Sequence, residues 1–180
     1  MLSDITWRQK YLPGTTDNFG SNEAYTTGIT AQQVWPYLSD ISKWESCYDN
    51  ASRITAPRSG PRLAEGDVFW FSTFGFPPIR SEVRESAAPA GPGRPRRVAW
   101  RSWQEGGGDE DADADADAAL DIYHAWVVEG VAWGAVRILT QESQIGKPAA
   151  RLAATRPNRM LNGHQDWLDG LVKITRENAE

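Results

Sequence analysis

Residues 158–177, NRMLNGHQDWLDGLVKITRE, keep an unbroken helical period, and this constrains the chain more than any other feature. At 100° per residue, Met160, Leu161, Trp167, Leu168, Leu171, Val172 and Ile174 share an arc of about 160°. Asn162, Gln165, Asp166, Asp169, Lys173, Arg176 and Glu177 take the opposite side. Such a two-sided helix must lie against an apolar surface supplied by the rest of the chain. His164 falls in the middle of the apolar arc, where an imidazole has to meet a polar partner, a water or a ligand. Gly163 and Gly170 mark one edge of the helix. There, the lack of a side chain permits close approach of a backbone, either this chain's own or that of a second copy.

Upstream, the period changes. Residues 1–21 carry Pro13, Gly14 and Gly20 among polar residues and read as an extended arm with Trp7 and Tyr11 as anchors. The domain proper is expected over residues 22–178, with a first strand at 22–29. Thr30 and Gln33 have the spacing of a capping box that starts a helix, which Pro36 should bend or end early. A second short helix is expected at 41–48, starting from Ser39 or Asp40. From about residue 52 apolar and polar residues alternate. Strands are expected at 52–56, 67–73, 79–86, 97–104, 120–129 and 131–145, each bounded by Gly, Pro or charged turns. Connections this short suit an antiparallel meander rather than parallel strands with crossover helices.

Alternation assigns faces. With Arg97 and Arg101 outside, Val98, Trp100 and Ser102 turn inward; with Asp121 outside, Ile122, His124, Trp126 and Val128 do so. With Arg137 and Gln141 outside, Val136, Ile138, Thr140 and Glu142 face in. Both histidines of the chain and one glutamate are thereby expected between the sheet and the long helix.

A length of 180 residues with 40% apolar composition suits a single domain with a substantial core. The formal charge of -5 is concentrated in residues 105–119, which hold seven acidic residues and no basic one. Of the 24 acidic residues, 17 then remain against 19 basic, so the body is near neutral and offers no field for nucleic acid or a membrane. The Asp-Ala repeat of this insert buries too little apolar surface to order itself and is expected to be a flexible, solvated flap. There is no long apolar run and no basic-then-apolar start, which suggests a soluble, cytoplasmic protein. The lone Cys47 excludes an internal disulfide and a cysteine-built metal site.

These residues resemble a known family, the helix-grip proteins of the START/Bet v1-like (SRPBCC) superfamily and, within it, the polyketide cyclase/dehydrase-like branch. The resemblance rests on Ile29-Thr30-Ala31 with Val34-Trp35-Pro36-Tyr37-Leu38 and Trp44, and on Gly66-Asp67-Val68-Phe69. It continues through His124-Ala125-Trp126, Trp133-Gly134-Ala135-Val136-Arg137-Ile138 with Glu142, and Leu161-Asn162-Gly163-His164 with Trp167-Leu168. It implies an α+β fold, a seven-stranded curved antiparallel sheet wrapped around a long C-terminal helix, with two short helices after the first strand. It also implies a deep apolar cavity. No catalytic motif is common to the superfamily.

The expected activity is therefore a cofactor-independent cyclase or dehydratase acting on a hydrophobic polyketide- or terpenoid-like molecule. The alternative is a non-catalytic carrier or sensor of a lipid-like ligand, and a third is a protein-binding module. The candidate catalytic groups are His124, His164 and Glu142. Trp100, Ser102, Trp126, Thr140, Met160, Trp167 and Leu168 are expected to contact ligand. Each has an ordinary reading as well: a histidine bonded within a core, a glutamate paired across a sheet, tryptophans as packing. No metal is expected, because no HExxH or similar spacing is present. The only partner expected is a hydrophobic small molecule, with a homodimer contact left open.

Overall fold

The computed structural model describes residue 2 and residues 4–88, 94–104 and 119–179. The alternating segments form seven strands: β1 (Asn18–Thr26), β2 (Ala51–Thr55), β3 (Val68–Thr73), β4 (Ile79–Ala87), β5 (Arg96–Trp103), β6 (Asp121–Gly130) and β7 (Val136–Ile145). They make one antiparallel sheet in the order β1-β7-β6-β5-β4-β3-β2, so the meander closes on itself only where the first strand meets the last. The sheet is curled into a half-barrel around the long helix, the α+β helix-grip arrangement. Acidic residues 105–118 of the insert lie outside the described residues.

Helix α1 (Ala31–Ser39) begins as its sequence requires. The Gln33 amide N–H donates to Thr30 Oγ1 at 3.2 Å, and the Thr30 N–H donates to Gln33 Oε1 at 2.8 Å. Pro36 shortens this helix without breaking it, for three more residues follow before the Asp40 N–H closes on the Pro36 carbonyl. Asp40 then accepts from Ser42 N–H to start a single 3-10 turn that leads into α2 (Trp44–Cys47). Two helices follow the last strand. α3 (Lys147–Ala153) is short, and α4 (Arg159–Glu177) is the long helix, its first amides at Met160 and Leu161 capped by Asn158 Oδ1 at 3.0 and 3.2 Å.

Against expectation, β1 starts four residues early, at Asn18, and β7 starts at Val136 because Trp133 (φ 60°) and Gly134 (φ 69°) make a left-handed turn before it. α3 occupies residues between the last expected strand and the long helix, where no element is expected.

The apolar face of α4 closes the core. Trp167, Leu168 and Leu171 are fully buried against Trp44 of α2 and the concave face of the sheet, where Phe69, Phe71, Trp100 and Trp126 lie. Each such side chain contributes about 1.5–3 kcal/mol on burial. The two glycines of α4 are seats within the same molecule. A Cβ on Gly170 would fall 1.8 Å from the Cys47 carbonyl oxygen, and one on Gly163 would fall 2.5 Å from Phe74 Cζ and 2.8 Å from Tyr48 Oη.

The N-terminal arm packs on its own body, covering the convex face. Ile5, Trp7 and Tyr11 lie over Tyr123, Ala125, Val127 and Leu139, forming a second, smaller core. Asp121 latches it: Tyr11 Oη donates to its carboxylate at 2.7 Å, Lys10 donates to it as well, and Arg101 holds both oxygens at 2.9 and 3.0 Å. β6 consequently has protein on both faces.

Candidate functional site

One row of residues crosses the middle of the sheet: Gly20, Glu142, His124, Trp100 and Val83 stand opposite one another on β1, β7, β6, β5 and β4. Because alternation sends all of them to one face, the carboxylate of Glu142 and the imidazole of His124 meet directly, Nδ1 to Oε2 at 3.0 Å. α4 delivers the third group from above. His164 Nε2 lies 3.3 Å from the same Oε2, and the two imidazole rings stack at 4.8 Å between centroids. Gly20 makes that approach possible: a Cβ there would come 2.5 Å from Met160 Cε and 3.7 Å from His164 Cε1. A side chain at position 20 would have to push the Met160 methyl aside.

The cluster is held from both sides along the strands. Thr140 Oγ1 is 2.7 Å from His124 Nε2. Gln144, two residues from Glu142 on the same face, donates its amide to Glu142 Oε1 and accepts in turn from Asn18 Nδ2 at 2.8 Å; Asn18 Nδ2 also reaches Met160 Sδ at 3.5 Å. The walls are aromatic. Trp100 and Trp126 lie 4.8 and 5.3 Å from the His124 ring, Trp167 lies 5.9 Å away, and Tyr48 stacks flat on Trp167 at 4.5 Å.

All three groups are buried, His124 and His164 at 4% exposure and Glu142 at 8%. Burial pushes His124 down to about 3, with Glu142 pulling the other way, so it is neutral at pH 7. For Glu142, burial alone would raise the carboxyl. The two imidazoles and the Gln144 amide outweigh that and bring it down to about 2. The hydrogen-bond pattern then assigns the protons. His124 donates from Nδ1 to the carboxylate and accepts at Nε2 from the Thr140 hydroxyl; His164 donates from Nε2. His164 Nδ1 is left as a buried ring nitrogen without a hydrogen-bond partner among the described residues, and Trp126 Nε1 is a buried donor in the same condition.

Seven of the ten candidate residues therefore come together here: His124, His164, Glu142, Thr140, Trp100, Trp126 and Trp167. Met160 covers Gly20 beside them, and Leu168 is fully buried in the core below. Ser102 faces inward but pairs its hydroxyl with Ser81 at 2.7 Å, one row away. Gln144 is the clearest residue that sequence reasoning missed, although the phase that placed Thr140 and Glu142 inward places it there too. Asn18 and Gly20 were missed because polar residues and a glycine read as arm.

Around the cluster the rings of Trp44, Trp100, Trp126 and Trp167 are buried against one another in tilted and edge-on contacts. Among the clefts on the surface of the described residues, two lie beside α4. One of about 480 Å³ lies between β1 and the end of α4. The other, of about 510 Å³, lies where β1 and α4 begin and is lined by Asn18, Phe19, Arg156, Asn158 and Leu161. Asn18 thus connects the second cleft to Gln144 and the cluster.

No protein-family model matches the sequence, and no curated protein matches it. Solved structures do. The di-domain ARO/CYC protein BexL of the BE-7585A biosynthetic pathway is 12% identical with a TM-score of 0.56, over 86% of this chain and 45% of its own. A norcoclaurine synthase variant from Thalictrum flavum, in complex with a transition-state analogue, is 12% identical with a TM-score of 0.55, over 91% and 96%. At that identity both show the fold alone. Hypothetical protein jhp0584 from Helicobacter pylori is of another order, 44% identical over 98% of each chain with a TM-score of 0.86. A likeness that covers arm, sheet and both terminal helices alike has one reading, that this chain belongs to the same family as the Helicobacter pylori protein jhp0584.

Proposed function

We propose that the chain is an enzyme of ring closure or dehydration within the SRPBCC superfamily, acting on a hydrophobic, carbonyl-bearing molecule of polyketide or terpenoid character. The observation that supports this reading is the buried His124–Glu142–His164 cluster with its unpartnered His164 Nδ1. A carrier needs apolar walls and one anchor. It has no use for a carboxylate buried between two imidazoles, which costs several kcal/mol in desolvation. The likeness in fold to a polyketide cyclase and to norcoclaurine synthase points the same way.

In this reading the substrate enters from the cleft beside Asn18, past the flexible Met160 side chain. His164 Nδ1 takes a proton from the carbon next to a carbonyl, Glu142 holds the imidazole in the tautomer that leaves Nδ1 free, and Trp126 Nε1–H is a donor for the carbonyl oxygen. The carbanion adds to a second carbonyl carbon of the same molecule and the first proton passes to the resulting alkoxide; a second α-proton, taken by His164 and handed to that hydroxyl, lets it leave as water as the carbon–carbon double bond forms.

The test is native mass spectrometry of wild type, His124→Ala and His164→Ala with polyketide and terpenoid precursors. Conversion by wild type of a ligand that both variants bind unchanged is the expected result. A ligand bound but never converted, and released equally by all three, would make the chain a carrier.

A further inference from the structure

We propose that His124 Nδ1, Glu142 Oε2 and His164 Nε2 ligate a single divalent first-row transition ion, zinc in the first instance, with at least one coordination position left for a small ligand. The inference rests on the reading above only in taking this cluster to be the working site.

Geometry comes first. A tetrahedral zinc ion with bonds of about 2.0–2.2 Å holds neighbouring donors about 3.3 Å apart. Glu142 Oε2 is 3.0 Å from one imidazole nitrogen and 3.3 Å from the other, and the three ligand atoms all lie within 4.8 Å of one another. Closing the remaining edge needs a small shift of one ring. Two imidazoles and a carboxylate are a donor set that suits zinc or ferrous iron and suits calcium or magnesium poorly.

The outer contacts are those a ligand set requires. With Nδ1 on an ion, His124 carries its proton on Nε2, and Thr140 Oγ1 is in place at 2.7 Å to accept it. The second oxygen of Glu142 is held by Gln144, itself held by Asn18. His164 moves its proton to Nδ1, where it becomes a donor facing the site.

Charge supplies an independent argument. Among the described residues the ion-pair partners of Glu142 are the two imidazoles alone. A carboxylate buried this deeply is a group that proteins ordinarily pair with a cation or bind to a metal. The ion would take the place of the free imidazole base in the proposed chemistry, acting as a Lewis acid on the substrate carbonyl. The ligands come from β6, β7 and α4, which is why no local spacing announces them.

The experiment uses the full chain, stripped with a chelator, then titrated with Zn²⁺ by equilibrium dialysis and with Co²⁺ by visible absorption. One ion per chain and ligand-field bands are expected. His124→Ala, His164→Ala and Glu142→Gln should each lose about 100-fold in affinity, and Thr140→Val about 10-fold or more. Glu142→Gln keeps the shape of the side chain, so its loss with an unchanged circular dichroism spectrum identifies a missing ligand rather than a missing fold. Failure of stripped wild type to take up zinc, or equal uptake by Glu142→Gln, overturns the inference. Full turnover by metal-free protein overturns it too and leaves the enzyme reading standing. A cluster-bound ion without turnover of any precursor supports the ion and sinks the enzyme reading.

Discussion

Gly170→Ala sets two effects of opposite sign against each other. In a helix interior alanine is favoured over glycine by about 0.8–1.0 kcal/mol, so on propensity the change stabilises. At this position the new methyl would fall 1.8 Å from the Cys47 carbonyl oxygen and 2.8 Å from its carbon. Ordinary carbon–oxygen contacts begin at about 3.3 Å, so α2 and α4 must separate by roughly 1.5 Å. The group in the way is backbone at the end of α2 and cannot rotate aside. Trp44, on the same short helix, packs edge-on to Trp167, so the separation also opens the centre of the core. Overpacking of this kind costs about 1–3 kcal/mol or more, and opening a tryptophan contact adds to it. The expected net loss is about 3 kcal/mol, or a fall of roughly 6–12 °C in Tm for a domain of this size. Urea unfolding and a thermal scan read both quantities. An unchanged or raised Tm would refute the reasoning, since propensity would then have outweighed the seat.

Gly20→Ala is the contrasting case, because the atom in the way is the terminal methyl of Met160. It should cost less than about 1.5 kcal/mol by unfolding, because that methyl can swing aside while α4 keeps its place. Thr140→Val leaves His124 Nε2 buried without its partner and should cost about 1–3 kcal/mol in urea titrations, with the fold intact by circular dichroism. The arm should detach in acid. For Asp121 burial alone would raise the carboxyl, but Arg101, Lys10 and Tyr11 outweigh it and hold the group below its ordinary 3.8. Its contribution is then complete above the unfolded value and lost as pH falls through the folded one. Hydrogen exchange of residues 4–12 should be protected at pH 5 and lose that protection below about pH 4, whereas Asp121→Asn should lose it at neutral pH. Exchange that does not differ between wild type and Asp121→Asn would remove the latch from the account.

Much of this architecture was legible because two periods carry it. The 3.6-residue spacing in α4 placed His164 on the buried side, and the two-residue spacing in β6 and β7 placed His124, Thr140 and Glu142 opposite it. What escaped depends on partners far away in sequence. Asn18 and Gly20 become strand because β7 pairs with them, and Gly20 is glycine because α4 descends there. The arm's place on the convex face was illegible because Trp7 and Tyr11 name no surface, whereas Asp121 and Tyr123 together make one. α3 escaped because KPAARLA is short, follows Gly146 in a left-handed conformation and carries Pro near its start.

The pairing of β1 with β7 dictates when this protein can exist during synthesis. Asn18 meets Gln144, and Gly20 meets Glu142, across more than a hundred residues of chain. Such a contact adds loop-closure entropy and slows folding. Strands β2 to β5 form a neighbour-by-neighbour series and can pair as they are made, but the first strand must wait for the last, with its edge open to other chains in the interval. The chemical cluster matures later still, since His164 arrives with the final helix. A ribosome stalled between residues 145 and 164 would hold a chain with every strand made but without His164.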